Sequence, residues 1–277
     1  MFHHSSALQS CPEQSVDRPR TPARCGAFSV VIGVYLVLAC TSATAQPADL
    51  SNWRIDGSGE WQLDSANTVA RQTLNVGPSV LHNNRSSQGR WFRATIEVET
   101  ADDNDFVGLV FGYQDGDISA TSPEYYLIDW KQETQTAANN VVGEIGLALS
   151  RVTGSIFAEG VNDLGGPDAY GHIGVVEELA RGINLGSTGW QENTEYRLDL
   201  FYGPDRVQLY VDGILELDEP GAFPDGAIGF YNFSQPQVRY TAIENLPEAT
   251  PVPVAPAFPL LLITLAVVLA LAWTRLK

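Results

Sequence analysis

The sequence predicts an all-β fold, an antiparallel sandwich or barrel, on three observations. First, apolar and polar residues alternate in short runs between Asp49 and Glu244. Trp91 to Thr100, for example, sets Phe92, Ala94, Ile96 and Val98 against Arg93, Thr95, Glu97 and Glu99, the period of two that marks a half-buried strand. Second, clusters of Gly, Asn, Asp and Pro break these runs at Asn83–Gly89, Asp115–Pro123 and Asn162–Gly171, where the chain must turn. Third, a helical pattern surfaces only at Val175 to Ile183, and Gly182 with its neighbouring glycines limits it to a turn or two.

The chain opens with polar residues that include Arg18, Arg20 and Arg24, followed by an apolar run from Phe28 to Ala39 and by Ala43-Thr44-Ala45. A basic region, a short apolar region and a small-x-small site together describe a secretory signal peptide, so residues 1–45 are expected to be removed before Gln46. A lipidated Cys40 is the rival reading, but Leu38 stands where a lipobox has a small residue. Cys11, Cys25 and Cys40 all precede Gln46, so the mature body has no disulfide and must rest on its core. About 200 residues suffice for that.

Residues 46–246 form the expected sandwich. Phe106 to Phe111 is nearly continuous in apolar residues, as in a strand covered on both faces. Tyr125 to Lys131 places Tyr126, Ile128 and Trp130 opposite Leu127, Asp129 and Lys131. Tyr196, Leu198 and Leu200 point one way, and Gly203-Pro204-Asp205 turns the chain into Val207, Leu209 and Val211. Asp212-Gly213 predicts a type I′ hairpin. Ala227–Tyr231 and Val238–Ile243 complete the set.

Past Leu246 the character changes. Five prolines stiffen a linker over 247–257 and the residues just beyond it. Leu260 to Trp273 is apolar except Thr264, within an expected helix over 258–274, and 275–277 form a basic tail. The apolar span counted from Phe258 is 16 residues, roughly 24 Å as a helix at about 1.5 Å per residue. It predicts a single-pass transmembrane helix that holds an exported domain at the cell envelope or surface. The order of Pro motif, apolar helix and basic end also resembles bacterial C-terminal sorting signals, which are processed after export.

The charge is strongly acidic, 16 Lys+Arg against 33 Asp+Glu. Such a balance argues against a nucleic-acid partner, which needs Lys and Arg to displace counterions, and favours cations. The acid is densest at Asp102-Asp103-Asn104-Asp105. Three carboxylates within four positions repel one another unless a solvated turn or a hard cation relieves them, and Ca2+ takes six to eight oxygen ligands. Asp102, Asp103 and Asp105 are therefore the candidate metal ligands. Asp115-Gly116-Asp117 begins like an EF-hand loop and then departs from it, with Ala120 and Tyr126 at the positions of the invariant Gly and the bidentate Glu.

Catalytic motifs are missing. Leu127-Ile128-Asp129-Trp130-Lys131-Gln132 is the nearest approach to the Glu-x-Asp-x-x-Glu pair of sandwich glycosidases, and Leu and Gln occupy the catalytic positions. His82 and His172, the two histidines after residue 45, read as loop or surface residues. No phosphate loop or nucleophile elbow is present. Trp53, Trp61, Tyr170 and Trp190 read as core or rim packing rather than as sugar platforms.

Several of these motifs resemble one family. The acidic cluster followed by Phe106-Val107-Gly108, Phe111-Gly112-Tyr113-Gln114-Asp115, Tyr125-Tyr126 and Trp130-Lys131-Gln132 is similar to the signature of the thrombospondin C-terminal domain. Gly59-Glu60-Trp61, Arg71-Gln72-Thr73-Leu74-Asn75, Gly189-Trp190 and Phe233-Ser234-Gln235 extend the likeness over roughly residues 52–245. The resemblance implies a jelly-roll sandwich of the concanavalin or legume-lectin kind. It also implies bound Ca2+ at Asp102, Asp103 and Asp105, and a noncatalytic adhesion role toward a glycan or a surface or matrix protein. The loop from Asp115 to Glu124 is longer than the family pattern. A glycan-cleaving enzyme on the same sandwich and a structural envelope or matrix protein are the alternatives.

Overall fold

The computed structural model describes residues 46–137, 140–156 and 166–246. The strands of the opening third are β1 (Arg54–Gly57), β2 (Trp61–Leu63), β3 (Val69–Gln72), β4 (Ser79–His82) and β5 (Arg90–Val98). Next come β6 (Phe106–Tyr113), β7 (Tyr125–Lys131), β8 (Gln135–Thr136), β9 (Val142–Gly143) and β10 (Gly146–Val152). A short helix, α1 (Pro167–Gly171), precedes β11 (Val176–Arg181) and β12 (Tyr196–Tyr202). The last strands are β13 (Arg206–Val211), β14 (Ile214–Pro220), β15 (Ala227–Phe233) and β16 (Val238–Leu246).

Two seven-stranded sheets face each other. One runs β1-β4-β15-β6-β7-β10-β11 and the other β14-β13-β12-β5-β16-β3-β2; β8 and β9 form a separate ribbon. Strand neighbours pair antiparallel throughout, and each sheet mixes strands from both ends of the sequence, as in a jelly roll. The expected β sandwich is therefore what the chain forms.

The core between the sheets follows the predicted alternation. Phe92, Ala94, Ile96 and Val98 of β5 meet Tyr126, Ile128 and Trp130 of β7 in one cluster. Phe230 lies among Trp53, Trp61, Phe92 and Tyr240, with ring centroids 4.9–6.4 Å apart. Burying such rings dominates core energetics. A second apolar cluster, with Phe106, Val110, Tyr113, Tyr125 and Leu127, lies on the other face of the first sheet beneath Ala169 of α1 and Ile118. This cover explains why every residue of β6, β7 and β15 is buried. At the predicted hairpin, Asp212 and Gly213 have φ of 51° and 84°, as a type I′ turn requires.

Three expectations need correction. Val175–Ile183 is not a helical turn: Val176 to Arg181 is strand β11, paired with β10 at the edge of the first sheet. An edge strand with one open face loses strict alternation, and its backbone finds hydrogen bonds without a helix. The short helix lies instead in the predicted 162–171 loop, with a proline in its first turn. His82 and His172 are not surface residues, since both side chains are buried.

The single-pass C-terminal anchor, and with it the placement at the cell envelope or surface, is also corrected. Among the described residues no helix is long and apolar enough to cross a membrane. Residues 258–274, on which that expectation rested, lie outside the described residues, as do 1–45, 247–257 and 275–277.

Candidate functional site

β6 has acidic residues at both ends. Asp102 to Asp105 lead into it, and Asp115 and Asp117 follow it. In the leading loop the sequence-predicted residues separate into two roles. Asp105 is buried, and its carboxylate accepts from the Lys131 ammonium of β7. Its amide donates to Gln235 Oε1 (2.9 Å), and its carbonyl accepts from Trp190 Nε1 (3.1 Å). Asp105 is thus held at side chain and backbone alike. Lys131 also donates to Gln135 Oε1 (2.6 Å) and lies 5.0 Å from the centre of the Phe106 ring. Burial pulls its pKa down, and the Asp105 charge opposes that shift.

Among the described residues Asp102 and Asp103 form no ion pair, although the Lys131 charge still reaches Asp103. Asp102 is exposed, and its amide donates to Thr100 Oγ1. Asp103 accepts from the Asn104 amide (2.9 Å) and from the Asn75 side chain. Burial pushes its carboxyl up and the charge on Asp105 adds to the shift, while the two hydrogen bonds oppose it. Between Asp103 and Asp105 in sequence, Asn104 Oδ1 is buried with no hydrogen-bond partner among the described residues. Its Nδ2 donates to Glu133 Oε2 (3.3 Å). Among the described residues the carboxylates of Asp102, Asp103 and Asp105 are not gathered into a group of three ligand atoms; Asp105 is taken up by Lys131, and Asn104 Oδ1 is left as a buried amide oxygen without a partner.

Sequence reading missed the trailing site. Asp56 of β1, His82 at the end of β4 and Asp115 beyond β6 each offer a ligand atom, all mutually within 4.8 Å. The antiparallel pairing of β1 with β4 sets Arg54 opposite His82 and so brings Asp56 to the same end of the sheet. The only sequence signal was the extra acid at Asp115 and Asp117; nothing local links either to a histidine more than 30 residues earlier.

A third charged cluster lies on the outer face of the first sheet. His172 Nε2 is 3.0 Å from Asp129 Oδ2, and Nδ1 is 3.1 Å from Glu178 Oε2. Burial works against the imidazolium, but the Asp129 carboxylate and the two hydrogen bonds outweigh it and push the pKa up to about 10. The hydrogen bond from His172 and the contacts with Arg181 bring Glu178 down to about 2. Beside this cluster is an open cleft of about 510 Å3 lined by Tyr170, His172, Glu178, Arg181 and Glu144. Tyr170 O–H donates to Gln135 Oε1 (3.1 Å), the atom that also accepts from Lys131. The cleft and the leading loop thus share one hydrogen-bonded link. Of the other aromatics, Trp61 and Trp190 are core residues and Trp53 packs against the core.

Comparison with known proteins identifies a family. The family model described as "Thrombospondin C-terminal region" matches residues 56–246. Cartilage oligomeric matrix protein of Rattus norvegicus is 30% identical over 226 residues, covering 70% of this chain and 28% of the relative. Thrombospondin-3 of Homo sapiens is 28% identical over 220 residues, with 70% and 22% covered. The chain thus spans about a quarter of the length of the curated relatives it matches. Among solved structures, the carbohydrate binding module CBM66 from Bacillus subtilis superposes with a TM-score of 0.44 at 15% identity, over 70% of this chain and 92% of that one.

Proposed function

This chain belongs to the thrombospondin C-terminal family, and from that premise we propose that it is a noncatalytic recognition module for a glycan or a matrix protein, stiffened by calcium at its leading acidic loop. The observation that carries the calcium reading is the buried, unpartnered Asn104 Oδ1 beside the half-buried Asp103 carboxylate. Asp102 and Asp103 are the anionic ligands in this proposal. Asp105 is the counter-ion that fixes Lys131 beneath them. Calcium bound there supplies the positive charge that lets neighbouring carboxylates share one point.

The recognition surface is the open cleft flanked by Tyr170. It is of a size that small ligands occupy, and an aromatic ring beside charged and polar groups suits a sugar face. The Lys131–Gln135–Tyr170 link makes recognition there sensitive to calcium. The missing carboxylate pair on β7 supports a noncatalytic role.

Melting curves of the full chain, recorded in EDTA and in excess calcium, test the proposal. At calcium about 100-fold above Kd the stabilisation is ~2.7 kcal/mol, a rise of roughly 5–10 °C for a domain of this size. Asp102→Asn combined with Asp103→Asn removes most of that rise. Superimposed wild-type curves reject the calcium site. A glycan array and a panel of matrix proteins, each probed with and without chelator, then separate the two partner classes, and chelator-independent binding rejects the coupling.

A further inference from the structure

We propose that Asp56, His82 and Asp115 form a second metal site, independent of the calcium loop, that takes a first-row transition cation of the zinc class. The decisive observation is His82. Its side chain is wholly buried, and Nε2 has no hydrogen-bond partner among the described residues. That nitrogen points between two carboxylates, 3.4 Å from Asp115 Oδ1 and 3.6 Å from Asp56 Oδ2. A tetrahedral ion with bonds of about 2.0–2.1 Å has ligand-to-ligand edges of roughly 3.3–3.4 Å. The 3.4 Å edge matches that value, the 3.6 Å edge is slightly longer, and all three ligand atoms lie within 4.8 Å of one another. Both histidine distances are longer than the hydrogen bonds an imidazolium makes with carboxylates, such as those of His172.

The groups around the cluster orient the ligands. Asp56 Oδ2 accepts from Tyr113 O–H (2.8 Å) and from the Gly116 amide (2.7 Å). Arg54 holds Asp115 by Oδ2, which leaves Oδ1 toward His82. Hydrogen bonds of this kind fix metal-binding carboxylates. An imidazole nitrogen with two carboxylates suits zinc and its neighbours, whereas calcium takes oxygen ligands. Coordination at Nε2 places the ring proton on Nδ1, where the Asn84 amide now donates at 3.2 Å. In the metal-free form Nδ1 accepts and Nε2 therefore carries the ring proton; loading displaces that proton from Nε2 and turns the Asn84 amide away from Nδ1.

Three protein ligands leave a coordination position open. Asp115 and Tyr113 also line a cleft of about 310 Å3 with Asn84, Gln114 and Asp225, so the site adjoins solvent-accessible space on the Asp115 side. Asp115 and Gly116, at the start of the Asp115–Glu124 loop, complete the site.

Cobalt supplies the optical probe for the test. The full chain, stripped with chelator and titrated with Co2+, gains a visible absorption band that Zn2+ abolishes at one equivalent. Excess Ca2+ does not abolish it. Asp115→Asn lies on an exposed loop, so the fold survives the change, and it weakens cobalt binding by about tenfold or more. His82→Gln removes the band, and its circular dichroism reports whether the sandwich is intact. Failure of the wild type to develop the band overturns the proposal. So does a band that persists unchanged in both variants, which would assign the ion to other groups of the chain. Neither result bears on calcium at Asp102 and Asp103, whose variants leave the cobalt band unchanged.

Discussion

At the start of β6 the carboxylate of Asp105 meets a buried ammonium, whereas past its end the carboxylates of Asp56 and Asp115 face a buried imidazole. The leading contact is a closed ion pair, with side-chain exposures of 0% for Lys131 and 9% for Asp105. At the trailing end, burial lowers the pKa of His82, and the charges on Asp56 and Asp115 recover only part of it. Two clusters of acid joined by one strand thus differ in what opposes them. The difference comes from the sheet partners: Lys131 arrives from β7 and His82 from β4, the strands on which the register happens to place a long cation and a weak base.

The largest effect expected from this contrast is on stability. Asp105→Ala leaves the Lys131 ammonium buried and unpaired, at a cost of about 3–5 kcal/mol. Asp115→Ala removes a pair with Arg54 whose members are about half exposed and costs about 0–1 kcal/mol. Replacing Asp105 and Lys131 together by Leu and Met recovers most of the first loss. Denaturant unfolding in EDTA measures all three. Equal costs at Asp105 and Asp115 would erase the distinction between the two ends.

The histidines sharpen it. His172 and His82 each face two acids, yet their pKa values move in opposite directions. The partners of His172 lie at 3.0 and 3.1 Å, and those of His82 at 3.4 and 3.6 Å. Because the folded pKa of His172 stands at about 10, its stabilisation is complete below the unfolded value of about 6.5 and disappears as pH rises through 10. Between pH 7 and 9 the loss approaches about 1.4 kcal/mol per pH unit, or ~2–3 kcal/mol in all. On the acid side, the Glu178 contribution is present above about 4.5 and is lost as pH falls through about 2. His172→Gln should abolish the alkaline slope of the melting temperature. Its persistence would show that another group titrates.

Legibility from sequence follows the same line between local and distant information. Strand positions were readable because alternation is local: the inward set Phe92, Ala94, Ile96 and Val98 is a core set in the structure. The two-sided burial of β6 was readable from its unbroken apolar run. β11 was not, because an edge strand shares its loose pattern with a short helix. The acid at Asp102–Asp105 was visible as a cluster, but the division of labour within it was hidden, since Lys131 and Gln235 lie 26 and 130 residues away. The trailing triad was hidden for the same reason, and His82, read from its neighbours Asn83 and Asn84, passed for a loop residue.

The smallest predicted effect isolates the leading loop from its own scaffold. Asp102 is exposed and takes no part in the Asp105–Lys131 pair. Its replacement by Ala should therefore change stability in EDTA by no more than about 0.5 kcal/mol. In calcium the same variant loses a ligand carboxylate, so its melting temperature should rise by less than that of the wild type. A variant silent in chelator and visible in calcium separates metal binding from folding within four consecutive residues. If Asp102→Ala instead shifts both curves equally, the loop is a structural turn whose exposed carboxylate is merely solvated, and Asp103 with Asn104 must account for any calcium response alone.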